Sequence, residues 1–415
     1  MKQTLPDVDI VSAPVYANES LLHENYSRLR QEAPVCWMEP EGYRPFWALT
    51  KHADILEISR QNERFLSAPR LTLTPVAVEE AMQQASGGMM LRTLVNMDKP
   101  DHHAYRNLTQ AWFMPPNLKK LEARIDELAN IFVDRMADLG GECDFAQDVA
   151  IWYPLRVIMM ILGVPEEDEP LMLKLTQELF GQNDPDMRRE KEEDAPRFDP
   201  GVLTDFFNYF NALTADRRAN PKDDLASLIS NATIKDEPIH ELEALSYYVI
   251  VATAGHDTTS STTAGGLLAL IENSAELEKL QANPDLVASA VDEMIRWTTP
   301  VKHFVRTAAE DYELRGQKIS EGEFLALFYP SGNRDDEVFD DPYSFQIERS
   351  PNKHLAFGYG GHLCLGQHLA KMEIRALYKA LIPRLKSIEL NGDIARVEAN
   401  FVSGLKRFPI KYQLK

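Results

Sequence analysis

Phe357-Gly358-Tyr359-Gly360-Gly361-His362-Leu363-Cys364-Leu365-Gly366 places one cysteine in a glycine-rich loop that runs into an amphipathic helix. Downstream, Leu365, Leu369, Met372 and Ala376 recur at helical spacing, so the helix is anchored to a core and its start is held still. The free N–H groups at that end carry a partial positive charge, which favours a thiolate over a thiol at Cys364. Gly358, Gly360, Gly361 and Gly366 accept conformations closed to other residues and leave room for a flat macrocycle beside the sulfur. A lone cysteine is also a common inert core residue. Four glycines, a phenylalanine seven residues upstream and the following helix favour the other reading, a cysteine that ligates a haem iron.

Upstream, Glu241 to Asn273 lacks proline and is long enough for one helix of roughly 45–50 Å. Val249, Ile250, Val251 and Ala252 are apolar on every face, which buries this part. Thr253-Ala254-Gly255-His256-Asp257-Thr258-Thr259-Ser260-Ser261-Thr262-Thr263 follows, mostly poor helix formers. A Ser/Thr-rich linker is the alternative. Periodicity resumes through Leu267, Leu268 and Ile271, so a core helix with a local distortion is the better account. The Thr258 hydroxyl can bond the Ala254 carbonyl one turn earlier and open the helix ladder there. Further out, Glu293 and Arg296 share a helix face, and Arg349 closes the segment from Asp341. In Asp98-Lys99-Pro100-Asp101-His102-His103-Ala104-Tyr105-Arg106, His102 and Arg106 stand one helical turn apart. Adjacent His102 and His103 diverge on a helix, which argues against a metal pair.

These four segments, in this order, resemble the cytochrome P450 family over nearly the whole chain. The resemblance implies haem b (iron protoporphyrin IX), with Cys364 as the axial ligand whose sulfur pushes electron density toward O–O cleavage. It implies Phe357, Gly358, Ala254 and Gly255 against the macrocycle. His102, Arg106, Arg306 (in Phe304-Val305-Arg306-Thr307-Ala308) and His362 then face the propionates, a planar guanidinium being well suited to a carboxylate. By the same resemblance, Asp257 and Thr258 are the acid and alcohol that supply protons to dioxygen. Glu293, Arg296 and Arg349 support the cysteine loop and stay outside the chemistry. Lys99-Pro100 stands where the family usually shows Pro-Pro, so that loop departs from the pattern.

Ala254 to Thr259, Pro300-Val301-Lys302, Gly366 to Lys371 and Asn400-Phe401-Val402 look like the terpineol-hydroxylating bacterial members of the family. That likeness implies a small hydrophobic substrate, a monoterpene such as terpineol or an alkylbenzene such as p-cymene. Ile250, Thr253, Ala254, Val301, Phe304, Phe401 and Val402 are then expected to contact it.

Composition fits. Apolar residues at 44% and charged residues at 26% are those of a soluble globular protein with a large core. The length of 415 residues would allow about two or three domains, but no Pro/Gly/Ser-rich linker divides the chain, so one domain over 1–415 is expected. A helix over Tyr16 to Arg30, short strands within Val35 to Thr50 and extended pieces within Pro300 to Phe345 give a mainly α fold with small β-sheets, a cytochrome P450 fold by resemblance. The charged tract Asn183 to Pro200 is expected to be a mobile surface loop, a candidate lid. Met1 to Ser20 holds Asp7, Asp9 and Glu19 and no apolar run, which implies no membrane anchor and a cytoplasmic protein. Cys36, Cys143 and Cys364 suit neither a disulfide framework nor a zinc site.

A net charge of −20 argues against nucleic acid as a partner. Around the cysteine loop the sign reverses, through Lys353, His354, Lys371, Arg375 and Lys379, with Lys119, Lys120 and Arg124. Since no flavin or iron–sulfur motif is present, electrons are expected from NAD(P)H through a ferredoxin reductase and an acidic ferredoxin. The expected activity is insertion of one oxygen atom of dioxygen into a C–H bond. A peroxide-driven haem enzyme is the first rival, and it would not need the Asp257–Thr258 pair. A non-catalytic haem protein that binds gas or another ligand is the second; it would keep Cys364 and dispense with the same pair.

Overall fold

Phe46, Trp47, Ala48 and Leu49 are all fully buried, which one short strand achieves only when both faces of its sheet are covered. In the computed structural model, which describes residues 2–85, 91–181, 184–187 and 201–415, that strand lies in a five-stranded sheet. The order is Val35–Met38, Phe46–Leu49, Phe324–Phe328, His303–Ala308, Phe65–Leu66. Phe324–Phe328 runs parallel to Phe46–Leu49, with Ala326 opposite Ala48, and the other pairs are antiparallel. Alternation then sorts the side chains. Phe46, Ala48, Ala326 and Phe328 face a core with Tyr16 and Tyr26; Trp47, Leu49, Leu325 and Leu327 face another with Ile55 and Tyr329. Leu325 pairs with Arg306, which fixes the height of that arginine beside the site.

The remaining mass is one large helical core. The run expected from Tyr16 divides into helices Ala13–Ala17 and Glu19–Glu32, because the Asn18 side chain accepts from Leu21 N and starts a new helix. The long helix expected over Glu241 to Asn273 is likewise two, Glu241–Ala254 and Asp257–Glu272. Of the charged tract at 183–200 only 184–187 are among the described residues, and these are pinned. Asp184 is buried, pairs with Lys406 Nζ at 2.8 Å and accepts from Glu398 N at 3.0 Å. Among the described residues no helix is long and apolar enough to cross a membrane.

The approach to the cysteine loop is held by a buried ion cluster. The Glu293 carboxylate accepts from Arg296 Nε and Nη2, both at 2.7 Å, from Arg349 Nε at 3.2 Å, and from Gln346 N and Asn352 Nδ2 at 3.0 Å. Arg296 Nη1 in turn donates to the carbonyls of Asn333 and Pro342 at 2.9 Å. Glu293→Ala leaves two guanidiniums buried without their counter-ion, so we expect a loss of about 3–5 kcal/mol of stability. Chemical denaturation measures it, and a loss typical of an exposed pair would contradict this role.

Candidate active site

Cys364 N donates to the Phe357 carbonyl at 2.9 Å and closes the loop that the sulfur sits on. Gly360 lies at φ +73, where a Cβ would collide with the Ser59 carbonyl, so only glycine fits. The helix Gln367–Leu381 begins three residues past the cysteine, and the Gly366 and Gln367 amides bond the sulfur. These amides and the nearby Arg106 charge lower the thiol pKa, as expected for a helix start. Burial outweighs them and leaves the Cys364 pKa above its ordinary value. The expected depression therefore does not arise from the helix end alone; a thiolate here needs a cation in contact with the sulfur.

Across from the sulfur the two central helices part. Gly255 N bonds Val251 O at 3.2 Å, the ladder resumes with Ser260 N to His256 O at 3.0 Å, and Thr258 Oγ1 donates to Ala254 O at 3.0 Å. The opening expected from the sequence is thus present. Cys364, Phe357, Gly358, Ala254, Gly255 and Thr258 line one cavity, and Ile250, Val301 and Phe304 belong to its apolar wall with Leu94 and Phe113. An added Cβ at Gly366 would enter open space at its floor.

Three expected substrate contacts lie behind this wall. Thr253 is buried and spends its hydroxyl on Val249 O at 2.8 Å. Phe401 packs its ring on Phe304, with centroids 5.4 Å apart, and Val402 forms a bridge with Val301. Asp257 also turns away, toward a second, more polar cavity on the far side of the helix that Ser260, Lys174 and Lys406 share. Its Oδ1 is 3.2 Å from His256 Nδ1, its Oδ2 is buried without a partner among the described residues, and burial pushes its pKa up.

The polar end of the first cavity gathers cations and donors. The His102 and His362 rings lie 4.1 Å apart. Burial, with Arg106 or Arg306 nearby, lowers their pKa values to about 4 and about 2, so both are neutral N–H donors. Ser67 Oγ holds His362 Nε2 at 3.1 Å, and Arg106 Nη2 reaches Leu363 O at 2.8 Å. Arg306 is buried beside them with one nitrogen on Val305 O and its Nε unpartnered. A buried, orphaned guanidinium calls for an anion. An apolar slot with a fixed sulfur at its floor and such a cluster at one end fits a flat, iron-bearing dicarboxylate macrocycle.

A sequence model described as Cytochrome P450 matches residues 10–413. The chain belongs to the cytochrome P450 family. This P450 is a monooxygenase of that family, with haem b as its cofactor and the fold its relatives share. It is 46% identical over 406 residues to Cytochrome P450-terp of a Pseudomonas species, covering 96% of this chain and 95% of the relative. Linalool 8-monooxygenase of Pseudomonas putida is 31% identical over 408 residues, 97% and 98% of the two chains. The crystal structure of CYP108D1 from Novosphingobium aromaticivorans matches with a TM-score of 0.90 and 41% identity, over 98% of this P450 and 97% of that chain.

Among the cavity residues not read from the sequence, one is an acid. Glu373 is buried at the cavity's edge, burial pushes its pKa well above the carboxylate range, and its Oε2 has no partner. The signal was present: Leu369, Glu373 and Leu377 are spaced by four on one buried face of the helix, and a lone acid on an apolar stripe marks a polar demand inside.

Proposed function

We propose that this P450 hydroxylates an alkyl carbon of a compact, nearly uncharged substrate, a monoterpene such as terpineol or an alkylbenzene such as p-cymene. The observation that carries the reading is the wall of Ile250, Ala254, Val301, Phe304, Leu94 and Phe113 standing opposite Cys364 beside Thr258. Such a wall binds by shape and water displacement, each buried methylene adding about 0.8 kcal/mol until the walls clash. The linalool in one relative's name supports a terpene-sized substrate.

Haem b, when bound, supplies the activation of dioxygen and the electron chemistry of C–H oxygenation. Cys364 Sγ would hold the iron, and His102, Arg106, Arg306 and His362 would orient the propionates. Thr258 gives its hydroxyl hydrogen to Ala254 O, so it offers the cavity an acceptor that holds a donated proton in place. Asp257, whose carboxyl faces the second cavity, supplies that proton on turning toward Thr258. An acid and alcohol at the helix opening support dioxygen chemistry over the peroxide-driven and ligand-binding alternatives. In a spectral titration terpineol or p-cymene shifts the haem toward high spin and long-chain fatty acids do not; the reverse ranking overturns the substrate class.

The electron donor we infer is an acidic ferredoxin, docking on the cysteine side. Lys119, Lys120, Lys353 and Lys379 are exposed there and Arg375 is half-buried. Other members of the expected basic cluster contribute less. Burial lowers the His354 pKa to about 4, so it is neutral, while Lys371 pairs with Asp292 at 2.8 Å and Arg124 with Glu127 at 2.6 Å. Complementary charge speeds encounter and is screened beyond about 10 Å at roughly 0.1 M salt. Electron transfer from ferredoxin should therefore slow on the order of tenfold as salt rises, and slow again in Arg375→Glu. A rate independent of salt overturns this partner. Such a donor and three free cysteines support a cytoplasmic setting.

A further inference from the structure

His256 sits in the break between the central helices, fully buried, and among the described residues its ring has three polar neighbours. Nε2 is 2.8 Å from the Ile151 carbonyl; a carbonyl only accepts, so Nε2 carries a hydrogen. Nδ1 is 3.2 Å from Asp257 Oδ1 and 3.5 Å from Thr176 Oγ1. Thr176 donates its own hydrogen to Leu173 O at 3.0 Å, so it too offers Nδ1 a lone pair. With a bare Nδ1 and an ionised Asp257, three acceptors would face one another in a buried site. One proton must lie between the ring and the carboxyl.

We propose that His256 is the positioning residue of proton delivery: it shares a proton with Asp257 and yields it to that carboxyl for each transfer toward Thr258. This rests on the reading of Asp257 and Thr258 given above. The balance is one proton in and one out, with no electron moved. The proton shared by the pair leaves from Asp257 toward the cavity; where it rests on His256 Nδ1 it passes first to Asp257 Oδ1, which leaves the ring neutral with its hydrogen on Nε2. A solvent proton then restores the pair. Its way in is the second cavity, where Asp257 Oδ2 and Ser260 Oγ are both without partners. The charged groups around that cavity are Asp144, Lys174, Glu178, Asp186, Lys406 and Arg407. Thr176 and the Ile151 carbonyl are the ring's other polar partners among the described residues.

The first test needs no variant. Nitrogen NMR of the histidine-labelled holoprotein, in its diamagnetic ferrous carbon monoxide form, reads the His256 ring, and infrared difference against Asp257→Asn reads the carboxyl. The proposal requires either a ring protonated on both nitrogens beside a carboxylate, or a neutral ring beside a protonated acid. A bare Nδ1 beside an ionised Asp257 overturns it. The second test is His256→Gln, whose amide can take the place of Nε2 on the Ile151 carbonyl and cannot give up a proton. Its carbon monoxide spectrum and terpineol spin shift should match the wild type. Turnover should fall on the order of 10- to 100-fold, at or below what a residue that transfers the proton itself contributes, with a larger solvent deuterium effect. If Asp257→Asn is slow with a large isotope effect while His256→Gln behaves as wild type, the inference fails alone. If Asp257→Asn itself turns over normally, the relay reading fails and takes this one with it.

Discussion

Cys364→Ser is expected to lose the strongly red-shifted carbon monoxide band of the reduced holoprotein, and monooxygenase turnover with it. Serine is nearly isosteric, so the Phe357 carbonyl bond that closes the loop and the Gly366 and Gln367 amides all remain in place. What changes is the charge the site can hold. Burial already raises the Cys364 thiol, and a hydroxyl starts far higher, so a serine here stays neutral and donates weakly to a metal. Thermal unfolding of the haem-free variant should move little, which separates loss of the ligand from loss of the fold. A variant that kept the red-shifted band would remove Cys364 from its assigned role.

Thr258→Ala is expected to separate electron consumption from product. The hydroxyl bridges to Ala254 O at 3.0 Å across the helix opening; without it the cavity loses the acceptor that holds a donated proton. NADH should still be consumed, and most of it should appear as hydrogen peroxide. Product per NADH should fall by on the order of tenfold or more, since a positioned proton-transfer group commonly contributes 100-fold or more to rate. Thr258→Ser should restore most of the coupling. Asp257→Asn should differ in kind, slowing turnover with coupling largely kept. Wild-type coupling in Thr258→Ala, measured as peroxide and product per NADH, would rule out this function.

The parts of the site that were legible are those set by local chain geometry. Thr258 and Ala254 are one turn apart, so their bond follows from spacing alone, and Glu293 with Arg296 is a helix-face pair. The cysteine loop carries its own glycines and its own helix. What could not be read depends on packing. Ile250, Thr253 and Ala254 share the first central helix, and how that helix is rotated against its neighbours lets Ile250 and Ala254, four apart, line the cavity while Thr253 spends its hydroxyl on Val249 O. Phe401 and Val402 lie behind Phe304 and Val301 because of a strand bridge between distant segments. The raised Cys364 pKa and the neutral His354 follow from burial, which no local spacing reports. The helix start at Glu19 was signalled by Asn18, a cap passed over.

The central claim is that this P450 inserts an atom of dioxygen, not of peroxide or water, into a C–H bond of a small terpenoid or alkylbenzene. The most direct measurement reconstitutes it with NADH, a ferredoxin reductase and a ferredoxin under isotopically labelled dioxygen, with terpineol or p-cymene as substrate and unlabelled water. The account predicts a hydroxylated product with one labelled oxygen and close to one NADH consumed per product. Product lacking the label, or formed equally well from added peroxide without dioxygen, would contradict it.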